Sequence, residues 1–284
     1  MPIRSTARRL WLGLSTLLGR RRRGFFIPYR YAHRLSPPGG RSPYQQIEQL
    51  FAADAAKFVA ELHALTQYAG ALSAIGRQPA PAPRWDQDWF PRLDAAVAYA
   101  MVRRHRPSRI VEVGSGHSTR FMARAVEDGG LATQILAIDP APRAALRGLR
   151  VEWLPQTVPA CGLAPFQRLA AGDLLFIDSS HILMPGTDVD FLLNEVLPIL
   201  PAGALLHLHD IFLPDDYPAS WGWRGYNEQS GVAALLDGRW ETLFASRYVA
   251  TRLSDHVGAS AVAQLPPLLP HAFESSLWLR RREA

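Results

Sequence analysis

A single cysteine, Cys161, stands in a chain of 284 residues, which excludes an internal disulfide and suits a reducing compartment. Alone, it reads as a small buried apolar residue. Long apolar runs are missing too. The longest nearly apolar stretch, Leu10 to Leu18, is too short to cross a bilayer. It lacks a small-residue cleavage site and is followed by four arginines, Arg20 to Arg23, so no secretory leader is expected there. Acids are absent before Glu48, whereas residues 1–47 hold ten arginines: Arg4, Arg8, Arg9, Arg20 to Arg23, Arg30, Arg34 and Arg41. That leaves 21 of the 31 basic residues against 25 acidic ones, a net of −4, over the remainder. The basic character belongs to a tail, and no nucleic-acid partner is expected for the rest. No internal repeat is found.

Within that tail, Ile3, Ala7, Leu10, Trp11, Leu14, Leu17 and Leu18 fall on one stripe at helical spacing. A basic amphipathic helix of this kind can lie on an anionic membrane surface, and a solvated or protein-packed helix is the alternative. The location expected is cytoplasmic, with a peripheral contact at the inner membrane face through residues 1–35. A Pro/Gly/Ser stretch at 36–43 reads as linker. Tyr44 to Ile75 is an apolar-periodic helical segment of one or two helices, and Gln78-Pro-Ala-Pro-Ala-Pro83 is a second breaker. The expected organisation is a basic segment at 1–35, a linker and helical extension at 36–84, and a main domain at 85–284.

From Trp85 onward, helical and strand patterns alternate. A helix is expected over 88–105, with Asp86 or Asp88 as its N-cap. Strands are expected at 109–113, 134–138, 151–154, 174–177, 204–208, 240–249 and 276–280. Helices are expected at 118–127, 188–199 and 227–237. This order implies an α/β fold, a doubly wound and mostly parallel sheet. Three of its strands end in acids: Asp139, Asp178 and Asp210. In such sheets ligands sit outside the carboxyl ends of the strands, so these acids are expected to converge.

The most informative segment is Glu112-Val-Gly-Ser-Gly116, where a short apolar strand stops at glycines and passes into a helix. Gly114 permits a sharp turn, and Gly116 permits a ligand to approach bare backbone. The helix start then offers N–H groups to a nucleotide-like cofactor. A nicotinamide dinucleotide fingerprint wants a third glycine where Thr119 stands. No Gly-Lys-Ser/Thr follows, which removes a P-loop nucleotidase. Asp139, closing the next strand, is placed to bind ribose hydroxyls.

On these residues the chain resembles a class I S-adenosylmethionine-dependent methyltransferase, over roughly 85–284. The resemblance implies a Rossmann-like fold whose seventh strand inserts antiparallel. It also implies a cofactor set of Glu112, Gly114, Ser115, Gly116, Ser118, Asp139 and Asp178. The adenine contact stays open, with only Trp153 to Gln156 on offer.

Asp178-Ser-Ser-His181 follows the fourth strand and is similar to the Asp-x-x-His of metal-dependent sugar O-methyltransferases of the macrolide-tailoring kind. There the aspartate binds Mg²⁺ and the histidine acts as base. The resemblance places His181, Asp178, Asp210 and His209 in the transfer site. Methyl transfer needs an aligned acceptor oxygen and a group to take its proton, and His181 is the first choice of base, a capping or core histidine being the alternative. The adjacent ligand pair that ends the fifth strand in those families is here His209-Asp210. Imidazole suits other metals better than Mg²⁺, so Asp178, His209 and Asp210 are either a non-magnesium site or a metal-free cluster in which His209 orients Asp210. The metal-free form is the reading taken, and His207 is read as structural.

The loop from Ile211 to Gln229 is expected to cover the acceptor. Trp221 and Trp223 would stack on it, and Asp215, Asp216, Arg224 and Asn227 would hydrogen-bond to it. A packed lid or dimer contact is the alternative. Asp86-Gln-Asp88-Trp89 would close the same pocket from the other side. The function expected is O-methylation of a small-molecule or glycan hydroxyl. An NAD-dependent oxidoreductase and a non-catalytic module keeping the fold are the alternatives.

Overall fold

The computed structural model describes residues 3–236 and 238–283, with side chains from Ala7 onward except Arg9. The expected helix end at 237 and the outermost positions 1, 2 and 284 of the expected segments lie outside the described residues. Contacts divide the chain into two units, one reaching to Pro43 and including Asp215–Tyr226, the other holding Tyr44–Pro214 and everything from Asn227 on.

In the first unit, α1 (Ile3–Leu17) places Leu10, Trp11, Leu14 and Leu17 of the expected stripe on one helix, with Leu18 just beyond its end. Gly19, at φ +66°, ends it by turning the chain in the left-handed region that suits glycine. The arginine run then folds back. The Arg20 and Arg21 N–H groups donate to the Ser15 carbonyl at 3.1 and 3.3 Å. Ser15 Oγ donates to the Arg21 carbonyl at 3.1 Å, and the Arg23 N–H donates to Thr16 Oγ1 at 2.9 Å. In the same unit, Asp216 pairs with Arg41 and accepts the Gly39 N–H. The Arg224 guanidinium lies 4.0 Å over the Trp221 ring.

The second unit begins with α2 (Gln45–Ala53), α3 (Ala55–Ala64) and α4 (Ala69–Ala74), a 3₁₀ turn preceding the last. Phe51 and Phe58 of these helices pack edge-to-face with Tyr248, and Phe58 also meets Phe244. Next, α5 runs over Arg92–His105, so the expected start at 88 and the caps Asp86 and Asp88 are corrected. Pro91 takes the N-cap position, and the residue before a proline is pushed out of helical geometry. Gln87 organises that turn instead, accepting the Trp89 and Phe90 N–H groups.

The sheet then unfolds in order: β1 (Arg109–Val113), α6 (His117–Asp128), β2 (Gln134–Ile138), β3 (Glu152–Leu154), α7 (Val158–Cys161), β4 (Leu174–Ile177), α8 (Asp188–Phe191), β5 (Leu205–Leu208), α9 (Glu228–Val232), β6 (Trp240–Ala245), α10 (Ser246–Arg252), α11 (Ser254–Gly258) and β7 (Leu277–Arg281). The helix expected to 199 continues past α8 as a wide π turn and a 3₁₀ turn at Pro198. The seven strands run β3-β2-β1-β4-β5-β7-β6, with β7 antiparallel to both neighbours. The expected strand at 240–249 stops at Ala245, because its partner begins at Leu277 and the preceding N–H groups of Ser275 and Ser276 turn to Asp94.

β4 and β5 are buried along their whole length, as parallel strands covered on both faces must be. His207 is the polar exception. It stacks on Phe176 of the paired strand with ring centroids 3.7 Å apart, and its Nε2 meets Ser276 Oγ at 2.8 Å. Burial holds its ring well below imidazole's ordinary range, so it is a neutral core residue.

Candidate active site

The turn after β1 is built around Gly114, at φ +74°. A Cβ there would come 1.9 Å from the Asp178 carbonyl oxygen, so only glycine fits. Glu112, fully buried on β1, accepts hydroxyl hydrogen bonds from Ser118 and Thr119, each at 2.6 Å. Thr119 Oγ1 also accepts the Gly116 N–H at 2.9 Å. The residue standing at the third-glycine position thus ties the loop to the strand. Burial pushes the Glu112 carboxyl up to about 8, and the two hydroxyl donors offset only part of that. Glu112 and Ser118 therefore bond to each other and shape the loop without lining the cleft. A Cβ on Gly116 would stand in ordinary contact with Arg143 and Ala144, 3.6 to 3.9 Å away.

The cleft itself, of about 610 Å³, is lined by Gly114, Ser115, Asp139, Arg143, Gln156 and Asp178, among others. Asp139 accepts the Ser115 N–H at 2.7 Å and the Ala141 N–H at 2.7 Å, one on each carboxylate oxygen. Of the residues considered for the adenine side, Gln156 lines the cleft, while the Trp153 indole N–H donates to the Asp139 carbonyl at 2.8 Å. Arg143 lies 4.3 Å over the half-exposed Trp89 ring, and Asp86 and Asp88 are not in the lining.

At the ends of β4 and β5, Asp178, His181 and Asp210 bring one ligating atom each within 4.8 Å of one another. His181 Nδ1 meets Glu228 Oε2 at 2.8 Å, and Nε2 stands 3.3 Å from Asp178 Oδ1 and 3.4 Å from Asp210 Oδ2. His181 and Asp210 hold φ of +61° and +56°, left-handed values rare for such residues and typical of strained functional positions. His181 is no helix cap, since Thr187 caps α8.

Residues 111–211 match a family described as methyltransferase domain. No curated protein matches this chain. Among solved structures it is similar to the SAH-bound methyltransferase PaMTH1 of Podospora anserina, with 18% identity over 92% of this chain and 100% of that one, at a TM-score of 0.44. It is also similar to an O-methyltransferase of Bacillus cereus in complex with SAH, with 13% identity, 78% and 91% coverage and a TM-score of 0.40. A third is the O-methyltransferase TomG of Streptomyces achromogenes in complex with SAM, with 16% identity, 78% and 90% coverage and a TM-score of 0.39.

His209 stands beside the cluster of Asp178, His181 and Asp210. Strand alternation puts it in the layer of His207, edge-on to Phe90, and its Nδ1 stands 3.6 Å from Asp178 and 3.5 Å from Asp210. The three atoms that converge most closely are those of Asp178, His181 and Asp210, with His209 beside the two acids. Behind His209 lies Asp94, fully buried, 3.5 Å from Nε2. Asp94 accepts the Ser275 and Ser276 N–H groups at 2.9 and 3.1 Å, and Ser275 Oγ donates to Asp210 at 3.2 Å.

Asp94 and Glu228 are the site residues that sequence reasoning missed. Asp94 did leave a signal, an acid inside the apolar run of α5. Glu228 lay in the long loop without distinction. Asn227 of that loop clamps the Leu183 backbone, its Oδ1 accepting the N–H at 2.7 Å and its Nδ2 donating to the carbonyl at 3.1 Å.

Charge in the cluster is unequal: four carboxylates, Asp94, Asp178, Asp210 and Glu228, surround two imidazoles. Burial opposes a charged His181, but Asp178, Glu228 and Asp210 outweigh it and hold the ring well above its ordinary range. Burial is likewise outweighed at His209, by Asp210, Asp178 and Asp94. The Asp178 carboxyl is held well below the usual carboxylate range, the two imidazoles overcoming its desolvation.

Proposed function

We propose that residues 85–284 form an S-adenosylmethionine-dependent O-methyltransferase acting on a small-molecule or glycan hydroxyl, preceded by a linker and helical extension at 36–84 and a basic segment at 1–35. The observation that carries the acceptor reading is the convergence of Asp178, His181 and Asp210 beside a cleft that Ser115 and Asp139 also define. S-adenosylmethionine supplies a methyl group on a sulfonium that is already a good leaving group. Asp139 takes the ribose hydroxyls with its remaining lone pairs, Ser115 presents backbone at the turn, and Gln156 lies on the adenine side. Asp178 faces the sulfonium end.

The acceptor oxygen is aligned at the Asp178–His181–Asp210 corner. His181 takes its proton at Nε2, while Glu228 accepts the Nδ1–H and fixes the tautomer, as a buried carboxylate does for a catalytic imidazole. The surrounding carboxylates hold that imidazole well above its ordinary range, so engagement of Asp178 and Asp210 by the acceptor is what frees Nε2 to take the proton.

The excess of carboxylates favours a second reading beside the metal-free one. Nε2 to oxygen distances of 3.3 and 3.4 Å are long for direct hydrogen bonds and match neighbouring ligand atoms on one ion, with bonds of about 2.1 Å. A divalent cation fits this donor set. Asp178, His181 and Asp210 would hold it, and it would acidify the acceptor hydroxyl.

Titration calorimetry with S-adenosylhomocysteine tests the core of the proposal, and a folded sample that fails to bind overturns it. His181→Ala should keep that affinity and lose turnover by about a hundredfold or more. Undiminished turnover overturns the role of His181.

A further inference from the structure

Methyl transfer makes no use of α1 and the arginine run after it, yet together they form a built surface. Leu10, Trp11, Leu14, Leu17 and Leu18 line one side of α1 and are between 55% and 65% exposed. Phe26 and Ile27 add 68% and 62% exposure. Leu12, Ser15 and Thr16, on the other side of the helix, are half-buried. So many large apolar side chains exposed within one short segment mark an interaction site.

The arginine run is held beside that surface. The bonds from Ser15 and Thr16 to residues 20–23 fold it against the helix end, with the Arg23 guanidinium 4.5 Å over the Trp11 ring and Arg22 4.7 Å over Phe25. Two cationic heads are thus held on aromatic rings, one of them Trp11 of the stripe itself. This unit contains eleven arginines and two aspartates, of which Asp216 pairs with Arg41. What complements it is an apolar layer overlaid by dense negative charge. A nucleic acid offers only the charge. A second copy of this chain brings like charge to the border.

We propose that α1 and Arg20–Arg23 dock flat on an anionic lipid bilayer. The leucine and tryptophan stripe enters the acyl boundary and the arginines lie among the headgroup phosphates. Ser15 and Thr16 are the residues that fix one layer against the other. Among the described residues no helix is long and apolar enough to cross a membrane, and the proposed contact is in-plane.

Flotation of the full chain with phosphatidylglycerol-containing vesicles, against pure phosphatidylcholine vesicles, tests this. Strong binding to the first and weak binding to the second is expected, falling with added salt. Replacing Arg20, Arg21, Arg22 and Arg23 by Gln should weaken binding about a hundredfold or more, at roughly fivefold per arginine. Leu14→Glu with Leu18→Glu should do as much while leaving every arginine in place. Unchanged melting curves show that the variants stay folded, independently of any cofactor. The proposal is overturned if the full chain ignores anionic vesicles or if the leucine variant binds them fully. It is also overturned if the surface is instead occupied by a second copy in sedimentation, or binds polyanions equally well in the leucine variant.

Discussion

The carbonyl oxygen of Asp178 occupies the space that a side chain on Gly114 would need, 1.9 Å from its first carbon. The turn after β1 and the end of β4 therefore pack backbone against backbone. Gly114→Ala should cost about 1–2 kcal/mol from its positive φ alone, with the clash added. Because the clash falls on Asp178, both S-adenosylhomocysteine affinity and turnover should fall. Calorimetry and a methyl-transfer assay on the same preparation check this, and a loss confined to one of them would separate the two sites.

Glu112 gives a pH signature. Its folded-state value, raised by burial to about 8, lies above the ordinary carboxylate range. Its contribution to stability is therefore full at acid pH and is lost as pH rises toward 8, since charging the buried carboxylate favours unfolding. Glu112→Gln should remove this slope while keeping an acceptor for Ser118 or Thr119. Melting temperatures between pH 5 and 8.5 should fall more steeply in the parent protein than in the variant. Parallel curves would refute it.

Glu228→Gln keeps the shape around His181 Nδ1 but removes the charge that sets its tautomer. Turnover should drop by about tenfold to several hundredfold, with cofactor affinity unchanged and the pH profile of kcat displaced. A change in KM for the cofactor alone would place Glu228 outside the transfer step.

Treatment with EDTA followed by addition of Mn²⁺, Zn²⁺ or Mg²⁺ separates the two readings of the corner. A cation held by Asp178, His181 and Asp210 predicts loss and restoration of turnover, abolished in Asp210→Asn. Turnover indifferent to chelator assigns the proton to His181 alone.

Much of the fold was legible because parallel strands buried on both faces write themselves as short apolar runs. β1, β2 and β4 fall on the residues that the runs mark, and Asp139 and Asp178, which follow β2 and β4, line one cleft. What could not be read was direction and distance. Which of His181 and His209 faces Asp178 and Asp210 at the mouth depends on a left-handed turn at each strand end. The partnership of Glu228 with His181 spans 47 residues, and that of Asp94 with Ser275 spans 181, separations at which spacing carries no signal. The start of α5 was misplaced because two aspartates resembled caps, while Pro91 and Gln87 governed the turn.

The place of β7 has a consequence for how the protein is made. It follows the other six described strands in the chain, yet it lies between β5 and β6. The N–H groups leading into it satisfy Asp94, which backs His209. Until those residues leave the ribosome, β5 presents an open apolar edge and the acids at its tip lack their support. A nascent chain stopped short of residue 277 should therefore be inactive and need chaperone cover, even though every residue of the transfer site has already been synthesised.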